Sequence, residues 1–454
     1  MGHKVRGIRK TEKIPGEFSA NTRSCASQCK SLQYLKSRQY TENALNGLNL
    51  LHDLNKNIDM EAQIAKKLIE KNLQYDEVKR LAVKLVQHPS PQTSLLESEP
   101  QVLALITEVI KPELEQAGLH PFIDASGNLV LQIKGRGAKD HLILVGYAMN
   151  AAPSTMRNPY SGEIVDGTPY KLDGECVWGR GACEQKGSLA AMLAAIRFIG
   201  LTKAELPSDL YFVVSTAGET GRHDSLTYVL DHDNVKANWC IIDGPPQIQL
   251  GNKGRVDVLV TVKGKQAHSS RPWEGVNAIE GAMKVLGKLE RLMPYPETKS
   301  HPDLGRVSFT ANSIESFPKA THTIQSECRI MFDRRLLPGD DPQKAIQQMK
   351  EAIGRIDPFT ITVEPRDFMY PSEIGNEAEV VQALEQAIRT MLGYEPQFSF
   401  STAANDTGLF NHRGIQAVNY GARDIRFQHT DHDLVPLNNV FNAAKVFAFL
   451  AIHR

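Results

Sequence analysis

The chain has 454 residues, 41% of them hydrophobic and 7% aromatic, and its 52 Lys and Arg balance 52 Asp and Glu. Such a length predicts at least two domains, and the balanced charge speaks against nucleic acid or an anionic membrane as a partner. Six irregularly spaced cysteines (Cys25, Cys29, Cys176, Cys183, Cys240, Cys328) exclude a disulfide framework and point to a reducing, cytoplasmic compartment. No apolar run approaches the roughly 18 residues of a membrane span, and the opening MGHKVRGIRK lacks the apolar stretch of a secretory signal.

Residues 1–72 read as a basic, partly helical extension. Its first 39 residues carry nine Lys or Arg against Glu12 and Glu17. From Thr41 to Val86 the apolar spacing is helical, as in YDEVKRLAVKLV, until Pro89 and Pro91 break it. A further helix is expected over Glu99–Ala117. NLVLQIKG and HLILVGYA then read as short apolar strands, GSLAAMLAAIRFIG as a helix ended by Gly200, and DLYFVVSTAG and ANWCIIDGPP as strands. Unalternating apolar strands between helices predict an α/β domain with a largely parallel, mixed sheet flanked by helices.

Residues 252–370 differ. RVDVLVTVKG, RVSFTANSIES and HTIQSECRIMFD alternate apolar and polar residues as half-buried antiparallel strands do, with amphipathic helices between them. This predicts an inserted α+β domain. NEAEVVQALEQAIRTMLG, GIQAVNYG and NNVFNAAKVFAFLAI restore the earlier style, so 73–251 and 371–454 are expected to form one domain in two segments.

Three motifs stand in order: WGRGACEQKG at 178–187, GKQAHSSRPWEGVNAI at 264–279, and GIQAVNYG followed by QHT at 428–430. Through them the chain, from about Leu73 onward, resembles the di-zinc exopeptidases and deacylases, which include acetylornithine deacetylase, succinyl-diaminopimelate desuccinylase, aminoacylase and glutamate carboxypeptidase. The resemblance implies a zinc-exopeptidase-like fold with an inserted lid or dimerisation domain, and a homodimer formed through that lid. It also implies a carboxylate-bridged metal pair, a glutamate base, and a lid imidazole that stabilises the oxyanion.

Carried over by position, the first histidine ligand aligns with Tyr147 in GYAMNAAP, and its orienting aspartate with Met149. The bridging aspartate aligns with Glu184. The paired glutamates become Gly218 and Glu219 in STAGETG, which leaves the base position vacant at Gly218. The next acidic ligand aligns with Asp243 in IIDGPP, the lid imidazole with His268, and the last ligand with His429. One metal would thus face Tyr147, Glu184 and Asp243, a poor set because a neutral phenol is a weak ligand. The other would face Glu184, Glu219 and His429, a complete set of three. The implied cofactor is one divalent metal, zinc first, or none.

The resulting expectation is an amide or peptide hydrolase acting on a small N-acyl amino acid or peptide-like ligand. Two alternatives stand beside it: a catalytically inactive pseudoenzyme that binds a ligand or assembles a complex, and metal-independent acyl transfer or condensation on the same scaffold. His223, or Asp243, is a candidate to replace the missing groups, although a surface loop is the ordinary reading for His223. Arg334 and Arg335 are candidates to grip a substrate carboxylate, with strand-surface ion pairs as their ordinary reading. Cys183 reads as a small packed residue, and Asp431, His432 and Asp433 as the turn after His429 in QHTDHD, where contacts with solvent or with groups that support the ligands are expected.

Overall fold

The computed structural model describes residues 60–137, 139–292 and 299–453. Cys25, Cys29 and most of the basic extension lie outside the described residues.

A nine-stranded mixed sheet is the frame. Its order is Phe122–Ile123, Leu129–Ile133, Leu210–Ser215, Leu142–Tyr147, Trp239–Ile242, Gln416–Asn419, Ile248–Asn252 and Ser372–Glu373, and Phe398–Ser401 also pairs with Ile248–Asn252. The four strands at its centre, 210–215, 142–147, 239–242 and 416–419, run parallel. Three of them are buried at every residue. Both faces are covered, so apolar residues do not alternate with polar ones.

The alternation is instead between two cores. Leu142, Leu144, Phe212, Val214 and Ile241 face the helices Gly187–Thr202 and Leu437–Ile452. Ile143, Val145, Tyr147, Val213 and Ile242 face Leu226, Val229, Leu409 and Phe410 on the opposite side.

The small-residue helix does not stop at Gly200. It runs to Thr202 and ends on Lys203, which is left-handed at φ 51°. Gly200 is there for contact: a Cβ would stand 2.5 Å from the Ala117 carbonyl oxygen. A close approach in sequence thus resembles a stop signal.

The segment 254–369 builds a separate four-stranded antiparallel sheet in the order Phe309–Phe317, Glu327–Leu336, Gly254–Lys263, Thr360–Met369. Val256, Val258, Val260 and Val262 point to its own core, under the helices Ala278–Leu289 and Pro342–Ile353. Both helices carry side-chain caps: Asn277 accepts from the Ile279 N–H, and Asp341 from Gln343 and Lys344. The architecture is the expected mixed α/β sheet flanked by helices. No helix among the described residues is long and apolar enough to cross a membrane.

Candidate metal centre

In an open sheet of this kind, the carboxyl ends of the parallel strands leave a crevice that loops can furnish with side chains. Four such ends meet here. Tyr147 ends one strand, Gly218 and Glu219 follow Ser215, Asp243 follows Ile242, and Arg423 follows Asn419 by four residues. Tyr147, Gly218, Asp243 and Arg423, with Glu184, Gln185, Asn405, Asp406, Gln428 and His429, line a cleft of about 230 Å³, and Glu219 stands behind Glu184 and His429.

Glu184 lies between a left-handed Gly181 (φ 85°) and the helix starting at Gly187, in extended backbone within an otherwise helical turn. Asp433 holds that turn. It is 1% exposed and accepts from the N–H groups of Gly181 at 2.7 Å and Cys183 at 2.8 Å, with the Arg180 guanidinium at 3.4 Å. Of the two expectations for Asp433, solvent or a contact that supports a ligand, the structure shows the second: those buried N–H groups need an acceptor, and Asp433 supplies it. Asp431 and His432 are exposed, as expected of that turn. Cys183 is fully buried, its thiol directed to the Asp424 carbonyl oxygen at 2.9 Å.

Glu184, Glu219 and His429 come together. One ligand atom from each lies within 4.8 Å of the others, which makes them a group able to hold a metal ion. His429 Nε2 is 3.1 Å from Glu184 and 3.7 Å from Glu219. The hydrogen bond to Glu184 and the charges of both carboxylates raise the imidazole pKa to about 9, against a smaller opposing effect of burial. Burial, reinforced by the neighbouring Glu184 charge, pushes Glu219 up to about 8. The trio thus retains protons that a cation would displace.

The opposite side of Glu184 is different. There Arg423 spans two carboxylates: Nη1 donates to Glu184 at 3.0 Å, and Nη2 donates to Asp243. Burial alone would lower the guanidinium pKa, yet Asp243 and Glu184 hold it above its ordinary value. Burial raises Asp243, and Arg423 partly offsets that. Tyr147 gives no ligand to this side. Its hydroxyl donates to Asp406 at 2.6 Å, and burial together with the Asp406 charge pushes its pKa well above 10. The residues around Asp243 therefore do not fit a metal ion, whereas those around Glu219 do.

His223 is not in a surface loop. It is 6% exposed, its Nδ1–H donates to the other Asp406 oxygen at 2.6 Å, and its Nε2 accepts from the Tyr370 N–H at 3.1 Å. Two hydrogen bonds and stacking on Tyr370 consume it, so it replaces neither ligand nor base.

The base position is filled from the side. Gly218 has φ 144°, and a Cβ there would meet the Gln185 carboxamide oxygen at 2.5 Å. Gln185, 2% exposed, donates to the Gly218 carbonyl at 3.1 Å and to Glu219 at 3.4 Å.

His268 lies in the inserted domain, exposed, with Ser270 at 2.8 Å, and is not among the residues lining the cleft. Arg334 and Arg335 do not line it either. Arg334 donates to the Ala345 carbonyl and Gln348, and Arg335 to Asp333. The strand-surface ion pair of the ordinary reading is formed by Arg335, whereas Arg334 donates only to neutral oxygens.

Arg423, Asp406 and Gln185 are functional candidates that motif reasoning passed over. One signal pointed to Arg423: Asp243, an acid after an apolar strand, requires a buried counter-charge, and GARDIRF is the arginine-rich turn that provides it.

Residues 250–360 match the peptidase dimerisation domain of the M20 family. The chain is 26% identical to acetylornithine deacetylase of Myxococcus xanthus over 366 residues, covering 77% of this chain and 91% of the relative. It is 24% identical to succinyl-diaminopimelate desuccinylase of Pseudoalteromonas atlantica over 288 residues, 60% of this chain and 73% of the relative. The solved M20 metallo-carboxypeptidase Sso-CP2 of Sulfolobus solfataricus superposes with a TM-score of 0.66 at 18% identity, covering 83% of this chain and 99% of that one. The chain thus has the fold of the M20 metallopeptidases, carries their dimerisation domain, and counts acetylornithine deacetylase and succinyl-diaminopimelate desuccinylase among its relatives.

Proposed function

We propose that the cleft hydrolyses the amide bond of a small N-acyl amino acid or peptide-like substrate, on a centre holding one divalent metal ion. The observation that carries this reading is the convergence of Glu184, Glu219 and His429 in the cleft. Two carboxylates and an imidazole suit zinc, which when bound supplies a Lewis acid and an acidified water.

The chain's own groups do the rest. Gln249, Asn405 and Gln428 line the cleft with carboxamides that match the dipoles of an amide ligand. Gln185 orients Glu219, and Glu184 orients the His429 ring. We further propose a homodimer through the inserted domain. The dimerisation-domain match supports it, as do exposed apolar side chains on that domain, Trp273, Ile279, Met283 and Ile314. His268, outside its own cleft, would then serve the partner's cleft as oxyanion donor.

A second reading, a ligand-binding protein without turnover, draws on Gln185: a neutral carboxamide occupies the base position, and loss of a general base costs about 10²–10⁴ in rate. Metal analysis of the purified chain and a panel of N-acyl amino acids and dipeptides, assayed with zinc, manganese or cobalt, separate the two. Bound metal with turnover supports hydrolysis. Bound metal and saturable ligand binding with no turnover supports the second reading. Absence of metal in the parent at every concentration tried would sink the one-metal centre itself.

A further inference from the structure

We propose that Arg423 is a resident cation: its guanidinium takes the place of a divalent ion between Glu184 and Asp243, and its removal opens a second metal site there. The inference shares Glu184 with the one-metal reading but does not depend on the parent's metal content.

The Asp243 side chain is fully buried, and that of Glu184 is 13% exposed. Two such carboxylates side by side cannot both stay charged without a counter-ion. Arg423 meets one with each terminal nitrogen, which is what a planar fork of donors does and an ammonium does not.

Its position is fixed by the backbone. The Tyr420 N–H donates to the Ile242 carbonyl at 3.0 Å, Gly421 to Pro245 at 2.9 Å, and Arg423 to Gly244 at 3.0 Å. The Ala422 N–H between them donates to Ser188 Oγ at 2.9 Å. Four consecutive N–H groups therefore lock the 420–423 loop around the strand end that carries Asp243. The guanidinium is delivered to the carboxylates, and no shift of an exposed side chain placed it there.

Two further atoms define what the guanidinium displaces. Asp243 Oδ1 and Glu184 Oε2 are the buried oxygens that the guanidinium does not reach; the latter meets the His429 imidazole at 3.1 Å. With the guanidinium gone, three to four carboxylate oxygens would face one cavity on the cleft wall. That is a hard-oxygen set for a divalent cation. With it present, a like charge stands at the centre of that set and cannot be removed by deprotonation.

The test counts metal. Full-length parent and Arg423→Ala protein are stripped with chelator and titrated with Co²⁺, following heat and the visible absorption of the bound ion. The expected result is one equivalent more for Arg423→Ala than for the parent, whatever the parent's own count. Arg423→Lys, which keeps a cation, should show no gain. The double variant Arg423→Ala/Asp243→Asn, which removes the added donor, should lose it again. A folded Arg423→Ala protein binding no more Co²⁺ than the parent overturns the proposal. If Arg423→Ala does not fold when stripped, cobalt or zinc should restore a cooperative thermal transition; failure to restore it overturns the proposal equally. A parent with zero equivalents and a variant with one would leave this inference standing while ending the one-metal reading.

Discussion

The Tyr147 hydroxyl donates to Asp406 at 2.6 Å, and the same carboxylate accepts from His223 at 2.6 Å through its other oxygen. A phenol and an imidazole thus share one buried carboxyl group on the cleft wall. Tyr147→Phe leaves half of that group without a donor, and we expect a loss of about 1–3 kcal/mol, read as a shifted urea midpoint with an unchanged slope. Tyr147→His is expected to add no metal on its own, because Arg423 still fills the neighbouring position; Co²⁺ titration checks this.

Gly218 is a backbone requirement as well as an empty side-chain position. At φ 144°, with the Gln185 oxygen 2.5 Å from where a Cβ would stand, Gly218→Ala should destabilise by about 1–3 kcal/mol. Combining it with Gln185→Ala removes the clash but not the backbone strain, so part of the loss should be recovered. Thermal denaturation of the three proteins measures both components.

Metal uptake should be proton-linked. His429 holds its proton up to about pH 9 in the metal-free chain, so a cation bound at Nε2 must expel it. Affinity for Co²⁺ is expected to rise by about tenfold per pH unit between about pH 8 and 9, more steeply below about 8 where Glu219 also holds a proton, and to level off above about 9. His429→Ala should weaken binding by more than the roughly 10–100-fold typical of a lost outer hydrogen-bond partner, and should flatten the pH dependence. Calorimetric titration in two buffers of different ionisation heat counts the released proton.

Acid stability is set far from the cleft. Glu113 is 1% exposed and accepts from Arg80 and Lys84, with Arg197 at 2.9 Å, joining three helices. The hydrogen bond from Arg80, opposed by burial and aided by Lys84, lowers its pKa from 4.5 to about 2. A depressed carboxylate stabilises the fold fully above its unfolded value, and that contribution disappears as pH falls from about 4.5 through about 2. Glu113→Gln should cost roughly 2–4 kcal/mol at neutral pH and make unfolding less sensitive to pH in that window, as followed by circular dichroism.

Most of the scaffold was legible in the chain because burial writes itself into periodicity. HLILVGYA and DLYFVVSTAG are apolar throughout since both faces of Leu142–Tyr147 and Leu210–Ser215 are covered, while RVDVLVTVKG alternates since the inserted sheet covers one. Gly200 misled because a glycine required by a crossing carbonyl looks like one that ends a helix.

Motifs named Glu184, Glu219 and His429, which the structure brings together, and Asp243, which it pairs with Arg423 instead. The site was opaque where a side chain from elsewhere fills a vacated space. Nothing near Gly218 announces that Gln185 occupies its place, and nothing near Tyr147 names Asp406, 259 residues away in sequence. Asp433 belongs to the same class. Its neighbours in QHTDHD are polar, which left solvent and a supporting contact equally open, and the N–H groups it serves belong to the distant Gly181 and Cys183.

The four N–H groups that pin the 420–423 loop also bear on how this cleft can change. A path from this cleft toward a hydrolase with two cations and a carboxylate base would remove Arg423, add a ligand at Tyr147, and place a side chain at Gly218 beside Gln185. Taken singly, the first step strands two buried acids, the second orphans Asp406, and the third strains the chain. Each single substitution therefore costs stability in the metal-free chain, and the arrangement behaves as a ratchet whose pawl is the hydrogen-bonded loop.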